Sequence, residues 1–179
     1  MIDTSVADPA PLGLAAFALT TFVLSCCNAG LIGKGGDFVV LGVALAYGGA
    51  AQFAAGMWEY KRNNVFGATA FTSYGAFWIS FALLVTFYVG KLPPETVPAA
   101  IGTFLLAWGI FSIYMTLGAA KVSVPLLVVF VLLDITFLLL AFGAYAGMSG
   151  LSHLGGYFGI ATAVAAWYTA AKGMLAQMR

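Results

Sequence analysis

Side chains able to act on a passenger or a proton are scarce in this sequence, and most stand inside long apolar stretches. Thr21, Ser25 and Asn28 recur at a spacing of three or four, on the stripe that also holds Phe17. Gln52 and Glu59 share a second stripe, two helical turns apart. Asn63 and Asn64 precede a run carrying Thr69, Thr72, Ser73, Tyr74 and Ser80. A single Ser or Thr in a helix ordinarily bonds back to its own helix carbonyls. The cluster Phe71-Thr72-Ser73-Tyr74-Gly75 fits that reading less well, because its donors crowd together beside a glycine and so suit a hydrated path. Asp134 is the one acid well inside an apolar run. An ionised Asp at a helix centre costs about 2.5–3.5 kcal/mol on insertion scales. It is either a proton-handling, cavity-facing group or a protonated carboxyl bonding a neighbouring helix. His153 reads as a structural or surface residue.

These groups need a scaffold, and the composition defines it. Of the 179 residues, 63% are hydrophobic and 7% charged, with a net charge of +1. Soluble domains carry about 25% charged residues, so a water-soluble enzyme is excluded, as is disorder. No polybasic surface points to nucleic acid. The expected class is an all-α integral membrane protein, with the lipid bilayer as its solvent.

Charges divide the chain into runs long enough to cross a bilayer. Six helices are expected, at roughly Leu12–Leu31, Phe38–Trp58, Gly67–Tyr88, Pro98–Ala119, Val124–Tyr145 and Leu151–Ala171. Strands of a membrane barrel would alternate polar and apolar residues, and these runs do not. The connections are too short for a soluble module, so residues 1–179 read as a single transmembrane domain. Gly30-Leu31-Ile32-Gly33-Lys34-Gly35-Gly36 lacks the spacing of a phosphate loop and reads as a turn with one interfacial lysine. Lys61, Arg62, Lys121, Lys172 and Arg179 fall on one side, against Lys34 and Lys91 on the other. That asymmetry places both termini in the cytoplasm. The absence of a basic n-region argues against a cleaved secretory signal.

Small residues mark close helix contacts. Gly42, Ala46, Ala50 and Ala54 form one ridge of the second helix, and Ala44, Gly48, Gln52 and Gly56 another. The sixth helix adds Gly155, Gly159 and Ala163. Some ridges serve the bundle, and others are open to subunit contacts, so a homo-oligomer is expected. Trp58 and Trp167 suit interfacial belts, and Trp108 suits packing. The adjacent Cys26 and Cys27 read as packing residues, since neighbouring helical residues diverge. No metal cluster, His pair or nucleophile–base set is present, so neither an enzyme nor a cofactor is expected. With no Lys or Arg inside a crossing, neutral donors suit a small carboxylate, which they accept without a deep trap.

The segment Asp8-Pro9-Ala10-Pro11-Leu12-Gly13-Leu14 resembles the Asn-Pro-Ala-Pro-Leu-Gly signature of the acetate uptake transporter family, with Asp in place of the first Asn. The likeness continues through Tyr47-Gly48-Gly49-Ala50-Ala51-Gln52, Glu59-Tyr60-Lys61 and Asn64-Val65-Phe66-Gly67, and on through Thr72-Ser73-Tyr74-Gly75 to Trp78. It covers most of the chain. The resemblance implies a homohexameric, six-helix carrier of acetate and related small monocarboxylates, often with succinate, in the cytoplasmic membrane. It also implies a central hydrophobic constriction, which by motif falls on Phe17, Tyr74 and Leu133. Thr21, Asn28, Gln52, Thr72 and Ser73 are the further pathway candidates, and Asp134 the proton-handling one. Asp8 is expected to cap the first helix, with Pro9 and Pro11 setting its entry. Transport is expected to be proton-coupled and independent of ATP. The alternatives are a passive channel for acetate or another small solute, and a membrane sensor or scaffold without flux.

Overall fold

The structure, a computed structural model, describes residues 3, 5–33, 35–36 and 38–178. Lys34 and Arg179, both used in the charge balance, lie outside the described residues, as does Asp37 in the first loop. Among the described residues there are six helices and no strands. They are α1 (Ala10–Asn28), α2 (Phe38–Lys61), α3 (Val65–Lys91), α4 (Val97–Ala119), α5 (Val124–Ala146) and α6 (Ser149–Gln177). Each starts within two residues of its expected position. The largest departure is at the end of α6, which runs six residues past Ala171.

Local chemistry accounts for the boundaries. Asn63 takes a left-handed turn (φ 59°), and Asn64 then caps α3 by accepting the Gly67 N–H at 3.2 Å. Ser123 caps α5 through the Leu126 N–H at 3.4 Å, with a proline in the first turn. Gly147, at φ 63°, ends α5 in the left-handed conformation that glycine adopts at little cost. Asp8 differs from the expected simple cap: Pro9 occupies the capping position, and of the first-turn N–H groups Asp8 Oδ1 accepts that of Ala10, at 3.0 Å.

α1 packs along α6, α6 along α5, α5 along α4, and α2 along α3, with α1 also crossing α2. The two small ridges of α2 separate cleanly. Ala44, Gly48, Gln52 and Gly56 are buried within the bundle, whereas Gly42, Ala46, Ala50 and Ala54 are exposed on its outside. Between them α2 widens into a π-helical turn at Ala46–Ala51, where Gly48 abuts Thr20 of α1. A Cβ on Gly48 would stand 2.8 Å from Thr20 Cβ, so only glycine admits this approach. The outer faces carry Val128, Val131, Phe142, Ile110 and Leu117. Such a surface is untenable in water and ordinary in lipid.

α1 to α5 are each long and apolar enough to cross a membrane. α6 is the longest helix, at 29 residues, but Gly, Ser, His, Thr and Lys dilute its apolarity. Its small residues instead admit close neighbours. A Cβ on Gly156 would lie 2.7 Å from Ala29 Cα, and one on Gly159 3.0 Å from Ser25 Cβ.

Candidate substrate pathway

Three helices, α1, α3 and α5, run in the same direction, and their inward faces build the site. A cavity of about 480 Å³ opens at their N-terminal ends. α1 contributes Ala10, Leu14 and Phe17, α3 contributes Gly67, Ala70 and Tyr74, and α5 contributes Leu126, Val129 and Leu133. Phe17, Tyr74 and Leu133 are the last residues of each helix to reach it. All three are nearly inaccessible, at 5%, 3% and 4% exposure. The rings of Phe17 and Tyr74 are 5.7 Å apart, and Tyr74 also meets Phe111 and Phe130 at 5.3 and 6.0 Å.

A second cavity, of about 530 Å³, lies at the opposite ends of the same helices. The first residues to reach it are Leu24 on α1, Phe81 on α3 and Leu140 on α5. Each stands seven positions beyond its counterpart at the closed end of the first cavity. Seven residues are two turns and about 10 Å of helix. A layer of that thickness therefore separates the cavities on all three helices.

This layer is largely aromatic. Phe77 stands at its centre, in contact with the rings of Trp78, Phe81, Phe104, Trp108 and Phe137 at centroid distances of 4.9 to 6.3 Å. Two polar atoms inside it, the Thr21 hydroxyl and the Trp78 indole N–H, are buried without a hydrogen-bond partner. Thr136 and Thr162, by contrast, bond back to Leu132 and Phe158. Sequence reasoning did not find Phe77. Its only signal was its place one turn beyond Tyr74 in an aromatic-rich helix.

The remaining candidates are distributed unevenly. Gln52 lines the first cavity and leaves its Oε1 unpaired, and Asn28 lines the second. Thr21 stands between the cavities. Thr72 and Ser73 line neither cavity. Thr72 instead packs against Gly56 of α2, where a Cβ would lie 3.0 Å from Thr72 Cα. The Tyr74 hydroxyl lies beside Ser112 of α4 without a well-formed hydrogen bond. Asp134 lies outside both cavity linings and accepts a 2.7 Å hydrogen bond from Thr116 Oγ1 of α4. That is the geometry of a carboxyl tying two helices.

The mouth of the first cavity is the charged part of the site. Asp8 pairs with Arg62 Nη1 at the end of α2, and its Oδ2 accepts from Gln177 Nε2 of α6 at 3.2 Å. Arg62 Nε also donates to the Asp3 carbonyl at 3.2 Å. The signature segment thus clamps α1 to α2 and α6. Gly13 within it admits Phe71, whose ring would stand 2.7 Å from a Cβ. Leu12 is 45% exposed and faces outward. Glu59 is fully buried and accepts from Asn64 Nδ2 at 2.9 Å, and Lys121 and Ser123 complete the rim. Among the described residues, no cluster of three His, Cys, Asp or Glu could hold a metal ion.

Comparison with known proteins gives this architecture a family. The model of the GPR1/FUN34/yaaH family matches residues 1–179. The chain belongs to that family. It is 40% identical to the succinate-acetate/proton symporter SatP of Escherichia coli, over 95% of this chain and 89% of that one. It is 42% identical to acetate permease A of Emericella nidulans, over 94% of this chain and 61% of that protein. The chain spans about 61% of the length of such fungal relatives, among them accumulation of dyads protein 2 of Saccharomyces cerevisiae, at 44% identity. The solved structure of the bacterial acetate channel SatP superposes with a TM-score of 0.89 and 38% identity, over 95% of this chain and 93% of that one. This GPR1/FUN34/yaaH member is therefore a multi-pass membrane protein with the SatP fold.

Proposed function

We propose that this protein carries acetate and related small monocarboxylates, with succinate as a further passenger, across the cytoplasmic membrane without ATP. The observation that carries this reading is the pair of cavities at opposite ends of α1, α3 and α5, held apart by one largely aromatic layer. A solute path blocked once has this form, whereas a scaffold has no need of two aligned vestibules. The names of its relatives, a symporter, a permease and a channel for acetate, support the passenger.

In this reading Phe17, Tyr74 and Leu133 form the inner edge of the constriction. Bulky apolar side chains exclude water and ions by dewetting. Thr21, Gln52 and Asn28, spaced along the path, offer neutral polar contacts to a carboxylate in transit. A proton accompanies the anion, because desolvating a bare carboxylate costs far more than desolvating its acid. The chain forms one transmembrane unit with both termini cytoplasmic, and α6 supplies a sixth crossing; at 1.5 Å per residue it is long enough for a hydrocarbon core about 30 Å thick. The outward ridge Gly42-Ala46-Ala50-Ala54 supports a homo-oligomer, for which the family resemblance suggests six copies. In lipid, small residues bring backbones together where no hydrophobic force does.

The test is uptake of radiolabelled acetate into liposomes holding the purified protein, with and without an inside-alkaline pH gradient and with protein-free liposomes subtracted. Saturable uptake that the gradient accelerates is expected. No flux above protein-free liposomes rejects transport and leaves the sensor or scaffold. Equal rates in both conditions reject coupling and leave a passive channel.

A further inference from the structure

We propose that Glu59 is the group that binds the transported proton. This rests on the transport reading above and names a residue that the reading leaves open. Glu59 is 0% exposed, yet its carboxyl lines the first cavity. Its Oε2 accepts from Asn64 Nδ2 at 2.9 Å, while its Oε1 is buried and has no partner. Gly67 clears the space around that oxygen, since a Cβ there would stand 2.7 Å from Oε1.

The surrounding charges leave this carboxyl short of a cation. Arg62 Nη1 lies 3.7 Å from Glu59 Oε2, but the same nitrogen is in close contact with Asp8 Oδ1. The arginine's Nε is committed to the Asp3 carbonyl. One guanidinium thus serves two carboxylates and favours the other one. From the α4–α5 turn Lys121 lines the cavity rim, and α6 presents only Thr169 and Gly173 to it. A buried carboxylate without full compensation gains by taking a proton. A proton on Oε1 occupies the one position without a partner and turns that oxygen into a donor beside Gly67, which also lines the cavity.

The step balances without any other reactant. An acid molecule that has crossed the aromatic layer gives its carboxyl proton to Glu59 Oε1. The O–H bond of the acid breaks and that of Glu59 forms. The carboxylate leaves through the mouth past Lys121, and Glu59 releases the proton to water there. The reverse sequence loads an outgoing anion. Asp134 also leaves one oxygen, Oδ1, buried without a partner, but it lies outside both cavity linings, where Thr116 holds its Oδ2.

The experiment uses the full-length wild type, Glu59→Gln and Asp134→Asn in liposomes, with size-exclusion profiles checked first. Glutamine keeps an acceptor for Asn64 and cannot be protonated in this range. Two rates are read for each protein: labelled-acetate exchange at symmetrical pH, and uptake under a one-unit inside-alkaline gradient. One unit changes proton availability by about tenfold. Glu59→Gln is expected to lose the gradient-stimulated component, and Asp134→Asn, outside both cavities, to keep it. A second measurement needs no variant. Dicyclohexylcarbodiimide, which reacts with protonated carboxyls in apolar surroundings, is expected to label Glu59 of the wild type, and acetate to protect it. Gradient stimulation that survives in Glu59→Gln overturns the proposal, whatever Asp134→Asn shows, as does a wild type labelled elsewhere but not at Glu59. A wild type with no flux above protein-free liposomes sinks the transport reading itself, and this one with it.

Discussion

Replacing Phe77 by Ala tests whether the aromatic layer is the seal or only packing. Phe77 is 4% exposed and touches five other rings. Aromatic pairs contribute about 0.5–1.5 kcal/mol each, and Phe→Ala in a core costs about 3–5 kcal/mol once the cavity term is included. The variant should therefore unfold earlier in detergent than Phe142→Ala, whose side chain is 53% exposed on the outer face. The functional consequence is larger. Removing the ring is expected to thin the layer that separates cavities of about 480 and 530 Å³. Every 1.4 kcal/mol taken off the barrier raises flux about tenfold. Stopped-flow light scattering should show glycerol entering Phe77→Ala liposomes at least tenfold faster than wild type, on the order set by that relation. Reduced stability with unchanged glycerol entry would show that the rings merely pack and that the path closes elsewhere.

Other consequences follow from single contacts. Tyr74→Phe should change stability by under about 1 kcal/mol, because the hydroxyl has no well-formed bond to lose; a change in acetate rate with unaltered melting then isolates its role toward the passenger. Gly156→Ala should destabilise by about 1–3 kcal/mol through overpacking, since only the Ala29 and Asn28 backbone can yield, whereas Gly150→Ala, in open space, should not. Thermal melts of the pair decide it. Arg62→Ala strands Asp8 and the buried Glu59 together and should cost about 3–5 kcal/mol, read by the same melts. Ala50→Trp, on the outward ridge, should reduce the particle mass in native mass spectrometry without unfolding the protomer; unchanged mass removes that ridge from the subunit contact.

The helices were legible because charges are so few that each cluster marks a turn, as Glu59–Asn64 and Lys121–Ser123 do. The two ridges of α2 were legible as ridges, but spacing alone could not say which faced inward. That depends on where α1 and α3 lie, which no local pattern encodes. Phe17, Tyr74 and Leu133 do converge on one cavity, although nothing in their spacing along the chain required it. Thr72 and Ser73 do not share the Tyr74 face, because neighbouring helical residues diverge by about 100°. Phe77 passed unnoticed because an aromatic plug is written in the same residues as an ordinary apolar core. Glu59 was visible in the sequence as a polar residue sharing a stripe with Gln52. Its significance lies in an unpaired oxygen and a shared arginine, both tertiary facts.

The relatives include a symporter and a channel by name, and the energetics explain how one fold admits both. A small carboxylic acid with a pKa near that of Glu is neutral at pH 7 at a cost of about 3.7 kcal/mol. Passing an ionised carboxylate through an apolar layer costs at least about 2.5–3.5 kcal/mol on insertion scales. The two routes lie so close that a single contact decides between them. The layer contains such a contact in the Thr21 hydroxyl, buried and unbonded on the stripe that joins the two cavities. A hydrogen bond to a charged group is worth about 1.5–3 kcal/mol. If the passenger crosses as a bare anion, Thr21→Val should slow acetate exchange by roughly ten- to a hundredfold. If it crosses as the acid, exchange should change by about two- to tenfold at most, because a hydrogen bond to a neutral acceptor is worth about 0.5–1.5 kcal/mol. The small change is expected. A large loss in Thr21→Val, in a protein that still folds, refutes passage of the neutral acid and makes the path a channel for the anion.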